Sequence, residues 1–109
     1  MTQPAYRPEL DIQGDENRRA LRRAVTMRAH LRDRGQTKFE IDVIDLSRTG
    51  FRAETSFTLW PGTVVWLTLP GLAPLEAMVA WRDKFRYGCA FGKPLHPAVL
   101  DHIVALSQR

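Results

Sequence analysis

Residues 25–43 read VTMRAHLRDRGQTKFEIDV, and this stretch alternates apolar and polar side chains on both sides of one turn. Apolar groups occupy every second position from Val25 to Leu31, and the alternation resumes at Phe39. Alternation of period two is typical of strands with one buried face. Asp33-Arg34-Gly35-Gln36, between the two halves, has the composition of a turn. The stretch therefore predicts two strands joined by a turn.

Strand-like segments continue along the rest of the chain, with Gly and Pro between them. Trp60-Pro61-Gly62 and Pro70-Gly71 are strong turn signals. The further segments are 51–54, 63–69, 75–81 and 87–91. Six short strands at this spacing predict a mainly β fold, either a small antiparallel barrel or a sandwich. From Pro97 onward, apolar residues share one helical face, which predicts a C-terminal helix packed on the sheet.

The chain has 109 residues, which favours one domain with a modest core. Residues 1–17 lack periodicity and are expected to form a flexible leader ahead of a domain at 18–109. No stretch is long and apolar enough for a membrane span, and the N-terminus lacks the apolar segment of a secretory signal. Cys89 is the single cysteine, as expected in a reducing compartment. A cytoplasmic location is the expectation.

Positive charge is concentrated in Arg18-Arg19-Ala20-Leu21-Arg22-Arg23 and the strand that follows it. The whole chain carries a net charge of +4. Between Asp15 and Arg34, seven arginines face three acidic residues, 7 − 3 = +4, so the remainder is formally neutral. Arginine grips phosphate oxygens or the O6/N7 edge of guanine with two parallel hydrogen bonds. The run therefore suits a phosphate ligand or a polyanion, although such a run is often only a solvated surface.

Asp45-Leu46-Ser47-Arg48-Thr49-Gly50 interrupts the strand pattern. One interpretation is a connecting turn, in which the Asp and Ser side chains bond to nearby backbone N–H groups. The other interpretation is a binding turn, because a carboxylate accepts well from the N1–H and N2–H₂ donors of guanine. Arginine donates to the opposite edge of the same base. Together, the arginine run and this turn supply donors and acceptors for guanine.

The order and spacing of these segments resemble the PilZ domain family, whose signature is RxxxR followed by [D/N]xSxxG. The first motif matches Arg19 to Arg23, and the frame from Arg18 to Arg22 also fits. We favour Arg19 and Arg23, because the last arginine of the family motif lies directly before the first strand, which is expected to begin at Val25. The second motif matches residues 45–50. The segments 79–81 and 87–91 also resemble the family's strands.

The resemblance implies a six-stranded antiparallel β-barrel with a C-terminal α-helix that binds the bacterial second messenger cyclic di-GMP. It implies ligand contacts from the following residues: Arg18, Arg19, Arg23, Asp45, Ser47 and Gly50, with Arg22 and Trp81 as weaker candidates. Because an arginine at position 18 precedes the motif, two ligand molecules per domain are expected. The leader would order around the ligand and present a new surface to a downstream protein effector.

Other functions fit the residues less well. His30, His96 and His102 are scattered, and no spacing suits a metal or a catalytic triad, so neither enzyme activity nor a metal or organic cofactor is expected. Cys89 lies in an apolar strand and is expected to be a buried, inert thiol. The three tryptophans are most simply core or barrel-rim residues. The alternatives are a nucleic-acid-binding barrel with a basic arm, against which the neutral barrel segments argue, and a PilZ module that binds only proteins.

Overall fold

The structure is a computed structural model that describes residues 22–108. It contains six strands, β1 (Arg23–Asp33), β2 (Lys38–Leu46), β3 (Gly50–Glu54), β4 (Val64–Thr68), β5 (Leu75–Asp83) and β6 (Arg86–Phe91), followed by helix α1 (Pro97–Ser107). All neighbouring strands are antiparallel, and they close into a barrel in the order β1-β2-β3-β6-β5-β4. The prediction of a six-stranded antiparallel barrel with a C-terminal helix is confirmed.

The alternation in the sequence becomes an inside and an outside of the barrel. Along β1, every second residue from Val25 to Leu31 is buried, and the residues between them are exposed. The largest fully buried side chains come from all parts of the sheet and from α1: Tyr87, Phe51, Leu31, Ile41, Leu46, Leu67, Leu69, Ile103, Val43, Val65 and Val79. Closing the sheet leaves each strand with two neighbours and so removes unpaired edges.

Strand directions define two ends of the barrel. The proximal end holds the start of β1, the 47–49 turn, the 69–74 loop and α1. The distal end holds the β1–β2 hairpin, the 55–63 loop and the β5–β6 hairpin. Positive φ angles of 70° at Gln36 and 58° at Lys84 mark the tight turns of the two distal hairpins.

Helix α1 covers the proximal end. Its N-cap is His96, whose Nδ1 accepts a hydrogen bond from the backbone N–H of Ala98 at 3.0 Å, and Pro97 occupies the first turn. Leu100, Ile103 and Val104 are the buried residues of the helix. They occupy positions i, i+3 and i+4, which lie on one face of a helix, and this face packs into the barrel core.

Candidate functional site

A groove of ≈ 160 Å³ opens on the outer wall of the barrel, toward the proximal end. Strands β3, β5 and β6 form its floor and walls, and the start of β1 and the 47–49 turn close one side. Its lining residues are Arg22, Ser47, Thr49, Gly50, Phe51, Arg52, Ala80, Trp81, Gly88, Cys89 and Ala90. Four of the lining residues on the strands are small: Gly50, Ala80, Gly88 and Ala90.

Two glycines shape this floor. A Cβ atom at Gly50 would lie 2.2 Å from the carbonyl oxygen of Cys89, so β3 and β6 can approach this closely only without a side chain there. A Cβ atom at Gly88 would lie 2.1 Å from Nε1 of Trp81. The indole of Trp81 therefore lies directly against the backbone of β6, and it forms one wall of the groove while remaining 39% exposed.

Asp45 is held between two arginines beside the groove. Its Oδ1 accepts from Nη1 of Arg22 at 3.3 Å, and its Oδ2 accepts from both Nε and Nη2 of Arg52. The residue is only 5% exposed, whereas the two arginine side chains are about half and one third exposed. Two guanidinium groups and one carboxylate leave a local charge of +1, which favours an anionic ligand.

Ser47 organises the turn that follows β2. Its backbone N–H donates to the carbonyl oxygen of Gly50 at 2.9 Å, and its Oγ accepts from the backbone N–H of Thr49 at 3.2 Å. The Oγ also lies 3.4 Å from the carbonyl oxygen of Gly50. These are the side-chain-to-backbone bonds expected of a serine in a tight turn. Ser47 is 3% exposed and still lines the groove, so one residue both holds the turn and contributes to the groove lining.

The same turn is bonded to the segment that leads into α1. The carbonyl oxygen of Arg48 accepts from the backbone N–H of Leu95 at 2.7 Å, and Nε of Arg48 donates to the carbonyl oxygen of Leu95 at 2.9 Å. The backbone N–H of Phe91 donates to the carbonyl oxygen of Thr49 at 2.9 Å. These bonds connect the 47–49 turn to β6 and to the segment before α1.

The structure separates the predicted site residues into three groups. The residues that line the groove are Arg22, Ser47, Gly50 and Trp81. Asp45 lies beside it, covered by Arg22 and Arg52. Arg23 begins β1 two residues earlier than expected, and its Nη1 lies 3.5 Å from Oδ1 of Asp101 on α1. Arg18, Arg19 and the expected leader at 1–17 lie outside the described residues.

Arg52 is the member of this site that the sequence analysis did not single out. It lies two residues after Gly50, and an alternating strand places those two positions on the same face. It is also the cross-strand partner of Asp45 in the register of β2 and β3. The alternation of faces along β3 could therefore have identified Arg52 from the position of Gly50.

Burial raises the pKa of Cys89 to about 12, so its thiol stays protonated and is a poor nucleophile near neutral pH. Residues 22–108 contain no group of three or more His, Cys, Asp or Glu side chains that could hold a metal ion. Within the same residues, no helix has the length and apolar character needed to cross a membrane.

Comparison with protein families matches the PilZ domain over residues 16–109, nearly the whole chain. The chain belongs to the PilZ domain family. This family consists of binding and receptor domains, and membership supports a general role for the chain as a cyclic di-GMP-binding receptor that interacts with a protein effector. A search of curated proteins finds no match.

Proposed function

We propose that this PilZ domain binds cyclic di-GMP in the outer-wall groove. The observation that carries the proposal is the contact between Arg22 and Asp45, 3.3 Å apart. It joins the end of the arginine run to the start of the DxSxxG turn, although 23 positions separate the two residues in the chain. Donors for phosphate and guanine, and an acceptor for guanine, therefore lie at one place on the barrel.

Each residue of the proposed site has a chemical partner on the ligand. Arg22, with Arg18, Arg19 and Arg23 of the same run, donates to the phosphates and to the guanine O6/N7 edges. Asp45 and Ser47 contact the Watson–Crick edge of a guanine, and Gly50 shapes the turn that holds them. The indole of Trp81 offers a flat face for stacking.

Ligand binding would exchange partners at Asp45. A guanidinium group and the Watson–Crick edge of guanine both present adjacent N–H donors to a carboxylate. A guanine that binds Asp45 therefore takes over contacts that Arg52 or Arg22 makes in the structure. The released guanidinium group is then available to a ligand phosphate, so the exchange keeps both charges satisfied.

The proposal extends to stoichiometry and signalling. Two ligand molecules bind per domain, with Arg18 supporting the second, and the segment before β1 orders around them. The ordered segment, together with the turn that is bonded to the start of α1, alters the surface offered to a protein effector. The domain acts as a receptor without catalysis, and the formal neutrality of the chain outside residues 15–34 argues against nucleic acid as its natural ligand.

Isothermal titration calorimetry with cyclic di-GMP tests the proposal. Wild type is expected to bind, and Arg22→Ala is expected to lose about tenfold or more in affinity, since charge-assisted hydrogen bonds contribute roughly 1.5–3 kcal/mol. Ser47→Ala is expected to lose about two- to tenfold, since a neutral hydrogen bond contributes roughly 0.5–1.5 kcal/mol. Arg28→Ala is the matched control, because Arg28 lies on β1 just beyond Arg22 but pairs with Asp42 and Glu40, outside the groove. Wild-type affinity in the Arg22 and Ser47 variants would overturn the proposed site.

Arg23→Ala in the same series decides between the two arginine frames. A larger loss at Arg23 than at Arg22 supports the pair Arg19 and Arg23, and the reverse supports Arg18 and Arg22. GMP and cyclic di-AMP serve as ligand controls. Neither is expected to compete, because the first lacks the second guanine and the second lacks the N1–H and N2–H₂ donors.

A further inference from the structure

The distal end of the barrel exposes three aromatic side chains. Phe57 is 50% exposed, and Trp60 and Phe85 are each 65% exposed. We call these three residues the aromatic rim. The other exposed large apolar residues of the described chain, Met78 and Trp81, lie on strand β5. Single exposed apolar groups are ordinary, but three at one end of a small domain mark a surface for interaction.

The aromatic rim is held by contacts between neighbouring loops. The backbone N–H of Thr55 donates to the carbonyl oxygen of Phe85 at 3.0 Å, which joins the 55–63 loop to the β5–β6 hairpin. The buried hydroxyl of Tyr87 donates to the carbonyl oxygen of Phe57 at 2.8 Å. The ring of Phe57 also packs against Phe39, with 4.8 Å between centroids. These contacts hold the 55–63 loop against the β5–β6 hairpin and the barrel.

Cationic side chains alternate with these rings. Arg82 lies over the ring of Trp60, 5.3 Å from its centroid, and Lys84 occupies the tip of the β5–β6 hairpin. The basic residues of the distal segments 33–38, 54–63 and 82–86 are Arg34, Lys38, Arg82, Lys84 and Arg86, against the acidic Asp33, Glu54 and Asp83. The difference, 5 − 3 = +2, gives this end a net positive charge. Glu54 is paired with Arg86.

We propose that the distal end docks on an anionic lipid bilayer, with the aromatic rim at the headgroup level and the cations against lipid phosphates. Tryptophan is enriched at this interface, phenylalanine enters it as an apolar group, and basic residues are attracted to anionic leaflets. The rings lie on loops at the end of the barrel. The distal groove between segments 33–35 and 62–64 contains none of them. A deformable surface accommodates such rings best.

Vesicle co-sedimentation of the full chain tests this inference. Binding is expected to vesicles of equal parts phosphatidylcholine and phosphatidylglycerol, and it is expected to be lost with phosphatidylcholine alone and weakened by high salt. Trp60→Ser/Phe85→Ser is expected to reduce partitioning by roughly tenfold, because two exposed rings no longer enter the interface. Lys84→Ala is expected to reduce it by roughly fivefold, the effect of one basic residue near an anionic surface.

Met78→Ser is the matched control, since it removes an exposed apolar group from the barrel wall, and it should leave partitioning unchanged. Thermal melts confirm that every variant is folded. Equal binding to both kinds of vesicle, no binding, or wild-type partitioning of the Trp60/Phe85 variant would each overturn the inference. Binding to a single-stranded oligothymidine in place of vesicles would also overturn it. The double variant should bind cyclic di-GMP as wild type does, so the two proposals fail separately.

Discussion

Replacing Asp45 by Asn tests whether the ion-pair cluster stabilises the barrel. The substitution keeps the shape of the side chain but removes the charge that holds Arg22 and Arg52 together. Hydrogen bonds to charged groups contribute roughly 1.5–3 kcal/mol each. Both arginines are partly exposed and regain water when released, so the combined loss is about 2 kcal/mol instead of the full sum. For a domain of this size, that loss lowers the melting temperature by roughly 8–16 °C.

Thermal unfolding followed by circular dichroism, without ligand, measures this effect. Asp42→Asn is the matched control on the same strand, because Asp42 pairs with Arg28 through side chains that are both more than half exposed. Such a surface pair contributes little, and the control should melt close to wild type. Equal melting temperatures for the Asp45 and Asp42 variants would refute the inference that burial makes the Asp45 cluster stabilising.

Three further changes concern the groove floor and the strand beneath it. Gly50→Ala is expected to lower the free energy of unfolding by about 1–3 kcal/mol, since its Cβ would meet a backbone oxygen at 2.2 Å; chemical denaturation measures this. Gly88→Ala is expected to displace the Trp81 indole and weaken cyclic di-GMP binding in calorimetry, whereas Gly92→Ala, whose Cβ would find its nearest atom at 3.7 Å, should bind normally. Stability should fall as pH rises from 9.0 toward about 12, because the thiol of Cys89 ionises earlier in the unfolded chain. Cys89→Ala should make that fall less steep in urea titrations at several pH values.

The fold could be predicted from the sequence because the alternation is nearly unbroken where strands have one buried face. The prediction was weakest at strand ends. Residues 82–86 were expected to connect two strands, but β5 continues to Asp83 and β6 begins at Arg86, which are paired in register. Both positions are exposed, so no apolar pattern marks them as strand.

The site could be predicted only in part. Motif spacing identified Ser47 and Gly50, which line the groove. The partnership of Asp45 with Arg52 depends on an irregularity in the register of β2 and β3 after Val43, and single-sequence patterns do not specify such bulges. Trp60 was expected in the core or at the edge of the barrel. Its exposure depends on how the 55–63 loop packs beside the β1–β2 and β5–β6 hairpins at the distal end.

A titration of the ¹⁵N-labelled full chain with cyclic di-GMP, followed through its backbone amide resonances, tests the central claim most directly. The account predicts saturable shifts concentrated at the 47–52 turn and strand, at Trp81 and at Gly88, with the distal loops that carry Phe57 and Phe85 unchanged. Spectra that do not change, or shifts concentrated at the distal end, would contradict the assignment of the outer-wall groove as the cyclic di-GMP site.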